Sequence, residues 1–151
     1  MLLIIDNSSV YTKNLIDFLS NKKISFEIQT PKLLDLKLLD NYNAFILSGR
    51  RKNEKKINEI NSKIINHAIQ NDKKLLGICY GAEILALTLG GTIRKLVFHQ
   101  KGNEKINIQR ENLLSNDDLQ VFESHGFEIS KLPDILLVIG ESKNCKFEII
   151  Q

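Results

Sequence analysis

The stretch Leu75-Leu76-Gly77-Ile78-Cys79-Tyr80-Gly81-Ala82-Glu83, continuing into Ile84-Leu85-Ala86-Leu87, sets a cysteine between two glycines where an apolar strand pattern gives way to a helical one. A strand that turns directly into a helix around one exposed side chain is a nucleophile elbow, and so sharp a turn needs residues without bulky side chains beside its tip, here Gly77 and Gly81. The Cys79 thiol is thereby set where backbone N–H groups of the new helix converge. Their partial positive charge favours thiolate over thiol and lowers a cysteine pKa from about 8.5 by one or more units. The competing reading of a single cysteine is a small buried hydrophobe. The glycine frame at a strand-to-helix junction favours a reactive thiol.

Upstream of the elbow, apolar strands alternate with helical segments. Met1-Leu2-Leu3-Ile4-Ile5 is an unbroken apolar run ending at Asp6-Asn7-Ser8-Ser9, a buried strand followed by a loop suited to capping a helix. From Tyr11 to Ser20, Leu15, Ile16, Phe18 and Leu19 fall at helical spacing, and the alternating Ile24-Ser25-Phe26-Glu27-Ile28 predicts a second strand. Pro31 marks a turn, Leu33 to Leu39 a short helical piece, and Ala44-Phe45-Ile46-Leu47 a third strand stopping at Ser48-Gly49. A polar helix from about Asn53 to Asn71 carries one apolar stripe, Ile57, Ile60, Ile64, Ile65, Ala68 and Ile69, so the charged remainder needs no functional explanation, and His67 reads as a surface or helix-boundary residue. Leu75 to Ile78 is the fourth strand, and the helix from Gly81 to Leu89 ends at Gly90-Gly91, a glycine C-cap.

This alternation predicts an α/β fold with a mostly parallel sheet and helices on both faces, because right-handed crossovers place them there. In such sheets sites form at the carboxyl ends of strands. Ser48-Gly49 and Cys79 both fall at such ends and are expected to share a crevice. After Gly91 the pattern changes: Thr92-Ile93-Arg94, Lys105-Ile106-Asn107-Ile108, Leu119-Gln120-Val121-Phe122 and Phe127-Glu128-Ile129 predict a small set of short, partly antiparallel strands.

At 151 residues the chain suits one domain with a real core. Its formal charge of +3 is spread out rather than gathered into a basic stripe with interleaved aromatics, which argues against nucleic-acid binding. The densest basic run, Arg50-Arg51-Lys52 with Lys55-Lys56, reads as a solvated loop and helix face, the alternative being a contact for an anionic substrate or partner. No apolar run approaches the ~18 residues that cross a bilayer, so no membrane role is expected. Two cysteines and a strand-like beginning fit a cytoplasmic protein. Cys145 reads as structural. The abundance of Asn, Lys and Ile is attributed to genome composition, and no metal or cofactor site is assigned.

With Gly77-Ile78-Cys79-Tyr80-Gly81, Ser48-Gly49 behind a strand, and Ser124-His125-Gly126 in that order, the chain resembles the class I, triad-type glutamine amidotransferases over nearly its whole length. Within that group, Leu89-Gly90-Gly91-Thr92-Ile93, Ser124-His125-Gly126 followed by Lys131-Leu132-Pro133, and Ser142-Lys143-Asn144-Cys145 are most similar to the amidotransferase subunit of GMP synthase. His125-Gly126-Phe127 is equally similar to the small subunit of carbamoyl phosphate synthetase, and anthranilate synthase subunits share the elbow.

The resemblance implies a flavodoxin-like sheet, L-glutamine as substrate, partnership with an ATP-dependent synthetase subunit, and no cofactor. Cys79 would attack the side-chain amide of glutamine, form a glutamyl thioester and release ammonia for the synthetase, with water then freeing glutamate. The oxyanion would be met by the backbone N–H groups of Tyr80 and Arg50. Gly49, Gly81, Glu83, Ser124, His125, Gly126 and Phe127 are the implied substrate contacts. His125 lies in the motif of the substrate-holding loop and is not assigned as the general base. His99 has no partner identifiable by spacing and reads as a surface residue.

Three departures from the family pattern stand out. The family's base is a histidine in a Phe-His-Pro-Glu-like motif, and Lys146-Phe147-Glu148-Ile149-Ile150-Gln151 is similar to the strand preceding it. The expectation is therefore one domain over residues 1–151 that is incomplete at its carboxyl end. Ser48-Gly49-Arg50-Arg51 stands where relatives carry Gly-Gly-Pro, so Arg50 is strained if that position needs a positive φ. Glu83 stands where glutamine is common, a carboxylate that accepts where an amide also donates. Two other functions fit the same residues: a noncatalytic amidotransferase-like binding or regulatory protein, and a free-standing hydrolase of γ-glutamyl compounds.

Overall fold

The computed structural model describes residues 1–151, and in the first of its two units, Met1–Thr88, four short apolar runs form a parallel sheet. These are β1 (Leu2–Ile5), β2 (Phe26–Gln29), β3 (Ala44–Leu47) and β4 (Lys74–Gly77), in the order β2-β1-β3-β4. Leu2 stands opposite both Phe26 and Ala44, and Phe45 opposite Leu75. The connections are α1 (Thr12–Asn21), a 3-10 helix over Leu36–Asn41, α2 (Lys55–Gln70) and, after β4, α3 (Tyr80–Thr88).

Successive strand residues face opposite sides of a sheet, and the core divides accordingly. On one side Leu3, Ile5, Phe45 and Leu47 pack with Ile64, Ile65 and Ala68 of α2, Tyr80 and Ile84 of α3, and Leu39 and Tyr42. On the other, Ile4 and Ile46 pack with Leu19 of α1. Helices cover both faces, as the alternation of elements predicts.

Two details of this unit differ from the sequence reading. The expected stripe of α2 includes Ile69, yet Ile69 is 46% exposed, while Asn61 is fully buried. At 100° per residue Ile69 lies about 120° around the helix from Ile57, and Asn61 only about 40°. The buried face is thus completed by an asparagine. The Asp6–Ser9 loop suits a cap for α1, but the N-cap residue is Tyr11, without a side-chain cap. Asp6 instead folds the loop onto itself, its Oδ1 accepting from Ser8 N at 2.9 Å and from Thr12 Oγ1 at 2.7 Å.

The second unit, Leu89–Gln151, is an antiparallel sheet of β5 (Thr92–Ile108), β6 (Leu119–Lys131), β7 (Val138–Glu141) and β8 (Ile149–Ile150), ordered β6-β5-β7-β8. Four segments expected as separate short strands are therefore parts of two long ones. Thr92–Arg94 and Lys105–Ile108 belong to β5, and Leu119–Phe122 and Phe127–Ile129 to β6. The hairpin carries a register shift between Lys95 and Gln100, and around it Val97 and Phe98 are 89% and 84% exposed. A bulge resets the inward and outward phase of side chains, so period-two alternation breaks where the strand does not. Ile106, Ile129, Ile139 and Cys145 are buried in this unit.

The elbow sits where β3, β4 and α3 come closest. A Cβ on Gly77 would lie 2.5 Å from the Gly81 carbonyl carbon and 2.6 Å from Ala82 N, and a Cβ on Gly81 would collide with the Leu47 carbonyl oxygen. Those neighbours are backbone atoms, which cannot swing aside. Gly81→Ala is therefore expected to destabilise the protein by about 1–3 kcal/mol even though alanine gains about 1 kcal/mol of helix propensity. Urea unfolding of the two proteins measures it; an unchanged or raised midpoint would show that the elbow is not closely packed.

Candidate active site

β4 hands over to α3 through two residues. Ile78 N still donates to Leu47 O at 2.9 Å, continuing the ladder, and Cys79 then adopts φ +53°. A left-handed conformation costs a non-glycine residue about 1–3 kcal/mol and persists only where its surroundings impose it. Here the packing of Gly77 against Gly81 and of Gly81 against Leu47 does so. Gly81 N donates to Ile78 O at 3.0 Å, and Ala82 N and Glu83 N donate to Cys79 O at 2.9 and 3.0 Å. The Tyr80 N–H is the first amide after Cys79 and is outside this set. The Cys79 side chain is exposed, whereas Tyr80 is 2% exposed.

The end of β3 meets this tip. A Cβ on Gly49 would stand 3.7 Å from Cys79 Cβ and 3.2 Å from Ser9 Oγ, so the two strand ends lie side by side. Arg50 follows, bridged through its backbone to Ser8. Its φ is not positive, so the strain anticipated for an arginine in place of glycine does not arise. Arg50 also leaves the solvated basic run. Its guanidinium lies 4.1 Å over the Tyr80 ring, and Nη1 donates to Asn53 Oδ1 at 2.9 Å and to Asn58 Oδ1 at 3.0 Å. The Tyr80 hydroxyl donates to the same Asn58 oxygen at 2.7 Å. Burial raises the Tyr80 pKa against the opposing pull of Arg50, which keeps the phenol protonated and able to donate.

A second polar set, fully inside the unit, ties the loops that carry the crevice. Asn7 N donates to Ser48 Oγ at 2.9 Å and Asn7 Nδ2 to Ser48 O at 3.1 Å. Asn7 and Asn61 exchange side-chain hydrogen bonds at 3.3 and 2.8 Å, and Asn61 Nδ2 also reaches Ile57 O at 2.9 Å. Glu83, 7% exposed, is the acidic residue of the first turn of α3, where the helix dipole favours negative charge.

Cys79, Tyr80, Gly81, Glu83, Gly49 and Arg50 are thus brought together in the first unit. Asn7, Asn58 and Asn61 join them, three residues that the sequence reading passes over. The available signal is spacing: Asn61 interrupts the apolar stripe between Ile57 and Ile64, and Asn58 precedes it by one helical turn.

Ser124, His125, Gly126 and Phe127 lie together in the second unit, within strand β6 and not on a loop as the resemblance suggests, because the long hairpin pairs them with β5. His125 is held at both ring nitrogens, Nδ1 by Phe127 O at 2.8 Å and Nε2 by Glu123 Oε2 at 3.2 Å. Burial works against its charged form, but the Phe127 carbonyl and Glu123 outweigh burial and raise its pKa. His99 is exposed, as expected, yet it has a partner, Ser124 Oγ at 3.1 Å, which only the hairpin register brings near. Cys145 is buried, and burial pushes its thiol up to about 12, in keeping with a structural role. His67 is packed edge-on against Phe45, with ring centroids 6.1 Å apart, and is less exposed than its place on a polar helix suggests.

Comparison with known proteins agrees with this arrangement. The family model of the class-I glutamine amidotransferases matches residues 3–151. A glutamine-hydrolysing GMP synthase subunit from Thermoplasma acidophilum is 26% identical over 149 residues, covering 96% of this chain and 74% of that one. A glutamine-hydrolysing GMP synthase from Thermobifida fusca is 38% identical over 71 residues, 45% of this chain but only 13% of that protein. The crystal structure of a glutamine amidotransferase from Thermotoga maritima has a TM-score of 0.83 at 20% identity, covering 99% of this chain and 70% of that one, a likeness of fold. An elbow cysteine beside a glycine loop, on this sheet and with a family match along nearly the whole chain, places the chain in the class I glutamine amidotransferase family.

Proposed function

We propose that this chain is the glutamine-hydrolysing subunit of a GMP synthase, releasing ammonia from L-glutamine for an ATP-dependent synthetase subunit that aminates xanthosine monophosphate. One observation carries the chemistry: Cys79 is held at φ +53° on an exposed elbow, close enough to Gly49 that a side chain there would touch its Cβ. The match to the Thermoplasma GMP synthase subunit over 96% of the chain supports the choice of partner.

In this reading the Cys79 thiolate attacks Cδ of the glutamine side chain, and the carbonyl π electrons move onto oxygen. The Tyr80 N–H and the amide of the Gly49–Arg50 loop face that oxyanion. One such donor is worth about 10²–10³ in rate, or roughly 3–4 kcal/mol. The nitrogen takes up from solvent the proton that the thiol released on ionising, and collapse of the tetrahedral intermediate then breaks the C–N bond, expelling ammonia and leaving a γ-glutamyl thioester. Addition of water to the thioester then returns glutamate and the free thiol. The helix α3 N-terminus supports negative charge at sulfur and at the oxyanion alike. Glu83 in the first turn adds the opposite influence, which suits a substrate carrying an α-ammonium group.

The test is glutamate release from glutamine by the chain, alone and with a synthetase subunit, ATP and xanthosine monophosphate. Cys79→Ala is expected to lower release by about 10⁴-fold or more, to background, and the wild-type rate is expected to rise when the synthetase is present. Release that is unaffected by Cys79→Ala would remove the nucleophile from this reading, and release indifferent to the synthetase would favour a free-standing γ-glutamyl hydrolase. The two thiols are also expected to separate chemically. Iodoacetamide should modify Cys79 in the folded protein, while Cys145, buried and with its thiol pushed up to about 12, should stay unmodified until the protein is unfolded. Peptide mass spectrometry reads both positions, and equal rates at the two would contradict the exposed elbow.

A further inference from the structure

Asn58 belongs to no part of the elbow, yet its side chain meets both residues that carry the proposed oxyanion donors. Its Oδ1 accepts from the Tyr80 hydroxyl at 2.7 Å and from Arg50 Nη1 at 3.0 Å. Its Nδ2 donates to Asn53 Oδ1 at 2.9 Å, and Asn53 Oδ1 accepts from Arg50 Nη1 as well, also at 2.9 Å. Every donor in this ring faces an acceptor, so the amide of Asn58 has one satisfactory orientation. The guanidinium stacked 4.1 Å over the Tyr80 ring closes the set.

The two donor-bearing backbones come from different elements. Arg50 lies on the loop after β3, and Tyr80 begins α3. Their side chains point to one oxygen on a third element, α2, which Asn61 ties three residues further on to Asn7, itself bonded to Ser48. Oxyanion stabilisation depends on donors fixed before charge develops, and displacements well under an ångström weaken it.

We propose that Asn58 is a positioning residue for the oxyanion donors: by accepting from Tyr80 and Arg50 with one carbonyl oxygen, it sets the spacing between the elbow amide and the Gly49–Arg50 amide. Asn58 touches neither substrate nor nucleophile and acts only through those two residues. This rests on the reading of Cys79 as the nucleophile that attacks a γ-glutamyl carbonyl.

The test compares two reactions of the same thiol in the full chain. Acylation of Cys79 by γ-glutamyl p-nitroanilide passes through an oxyanion; alkylation by iodoacetamide is a displacement at carbon and does not. Both are followed for wild type, Asn58→Ala and Asn58→Asp, with the modified peptide read by mass spectrometry and unfolding midpoints recorded. Asn58→Ala is expected to slow acylation by about 10-fold or more, part of the 10²–10³ a lost donor costs, while alkylation stays close to wild type; the unfolding midpoint falls modestly, because the buried Tyr80 hydroxyl loses its acceptor. Asn58→Asp keeps an oxygen that accepts from both Tyr80 and Arg50, although its second oxygen now faces Asn53 Oδ1, and is expected to acylate faster than Asn58→Ala, recovering part of the rate. Acylation by Asn58→Ala at the wild-type rate would overturn the proposal, as would a parallel fall of acylation and alkylation, which is the signature of a loosened fold. Absence of wild-type acylation with alkylation intact would instead overturn the nucleophile reading, and the positioning role with it.

Discussion

The approach of α3 to β3 through Gly81 is the constraint on which the first unit turns. The Leu47 carbonyl oxygen occupies the space where a side chain at position 81 would begin, and Gly77 is held as tightly against Gly81. No compensating movement of a flexible side chain can relieve the contact, because the neighbouring atoms are backbone. This contact fixes the direction in which α3 leaves the sheet, and with it the left-handed φ of +53° at Cys79. It also brings the Gly49 backbone beside the cysteine, since Leu47 and Gly49 lie on the same strand end. One steric fit thus supplies both the left-handed conformation of Cys79 and its neighbouring backbone, and a larger residue at either glycine would disturb the two together.

Polar residues of α2 add what packing alone does not. The helix presents Ile57, Ile64, Ile65 and Ala68 to the sheet, and that apolar face is sufficient to dock it. Asn61, wholly buried on the same face, contributes little hydrophobic stabilisation, and burying an amide without partners would cost about 1–3 kcal/mol. Its partners are supplied in full by Asn7 and the Ile57 carbonyl. The return is specificity of register, because the amide pair forms only when the loops after β1 and β3 and the middle of α2 are correctly placed. Asn58, nearly one turn earlier on the same helix, extends the arrangement to Arg50 and Tyr80. A helix that looks like a plain amphipathic cover is therefore the frame of the crevice.

Much of this is legible in the sequence, and the parts that are not fail for identifiable reasons. Continuous apolar runs at Leu2–Ile5 and Ala44–Leu47 mark central parallel strands, and Gly77-Ile78-Cys79-Tyr80-Gly81 marks the elbow, because each pattern has one dominant physical cause. The hairpin of the second unit reads as four strands because its bulge near Lys95–Gln100 breaks the alternation on which strand reading depends. Asn58 and Asn61 escape notice for a different reason. In a chain rich in asparagine, the only local signal is the place of Asn61 inside an apolar stripe, and the roles of both residues are set by partners 22 and 54 residues away in sequence. The same holds for Arg50, which reads as one charge in a basic run until the Tyr80 ring is placed beneath it.

Arg50 also shows how a loop can be held by side chains where the family pattern relies on backbone. A Gly-Gly-Pro segment limits its unfolded freedom through proline, an effect worth about 0.4–1 kcal/mol, and tolerates φ values closed to other residues. Ser48-Gly49-Arg50 has neither proline nor a left-handed third residue. Its order comes instead from hydrogen bonds to Asn53 and Asn58 and from the guanidinium over Tyr80. A hydrogen bond to a charged group contributes about 1.5–3 kcal/mol when buried, and a stacked cation about 0.5–2 kcal/mol. Arg50 is only half-buried, so solvent screening takes part of this, and ordering a long side chain costs up to about 2 kcal/mol. What remains is comparable with the proline effect it replaces. The difference lies in what the loop is coupled to: proline stiffens the loop alone, whereas Arg50 fastens it to α2 and to the first residue of α3, so that the amides flanking Cys79 are set by one shared network.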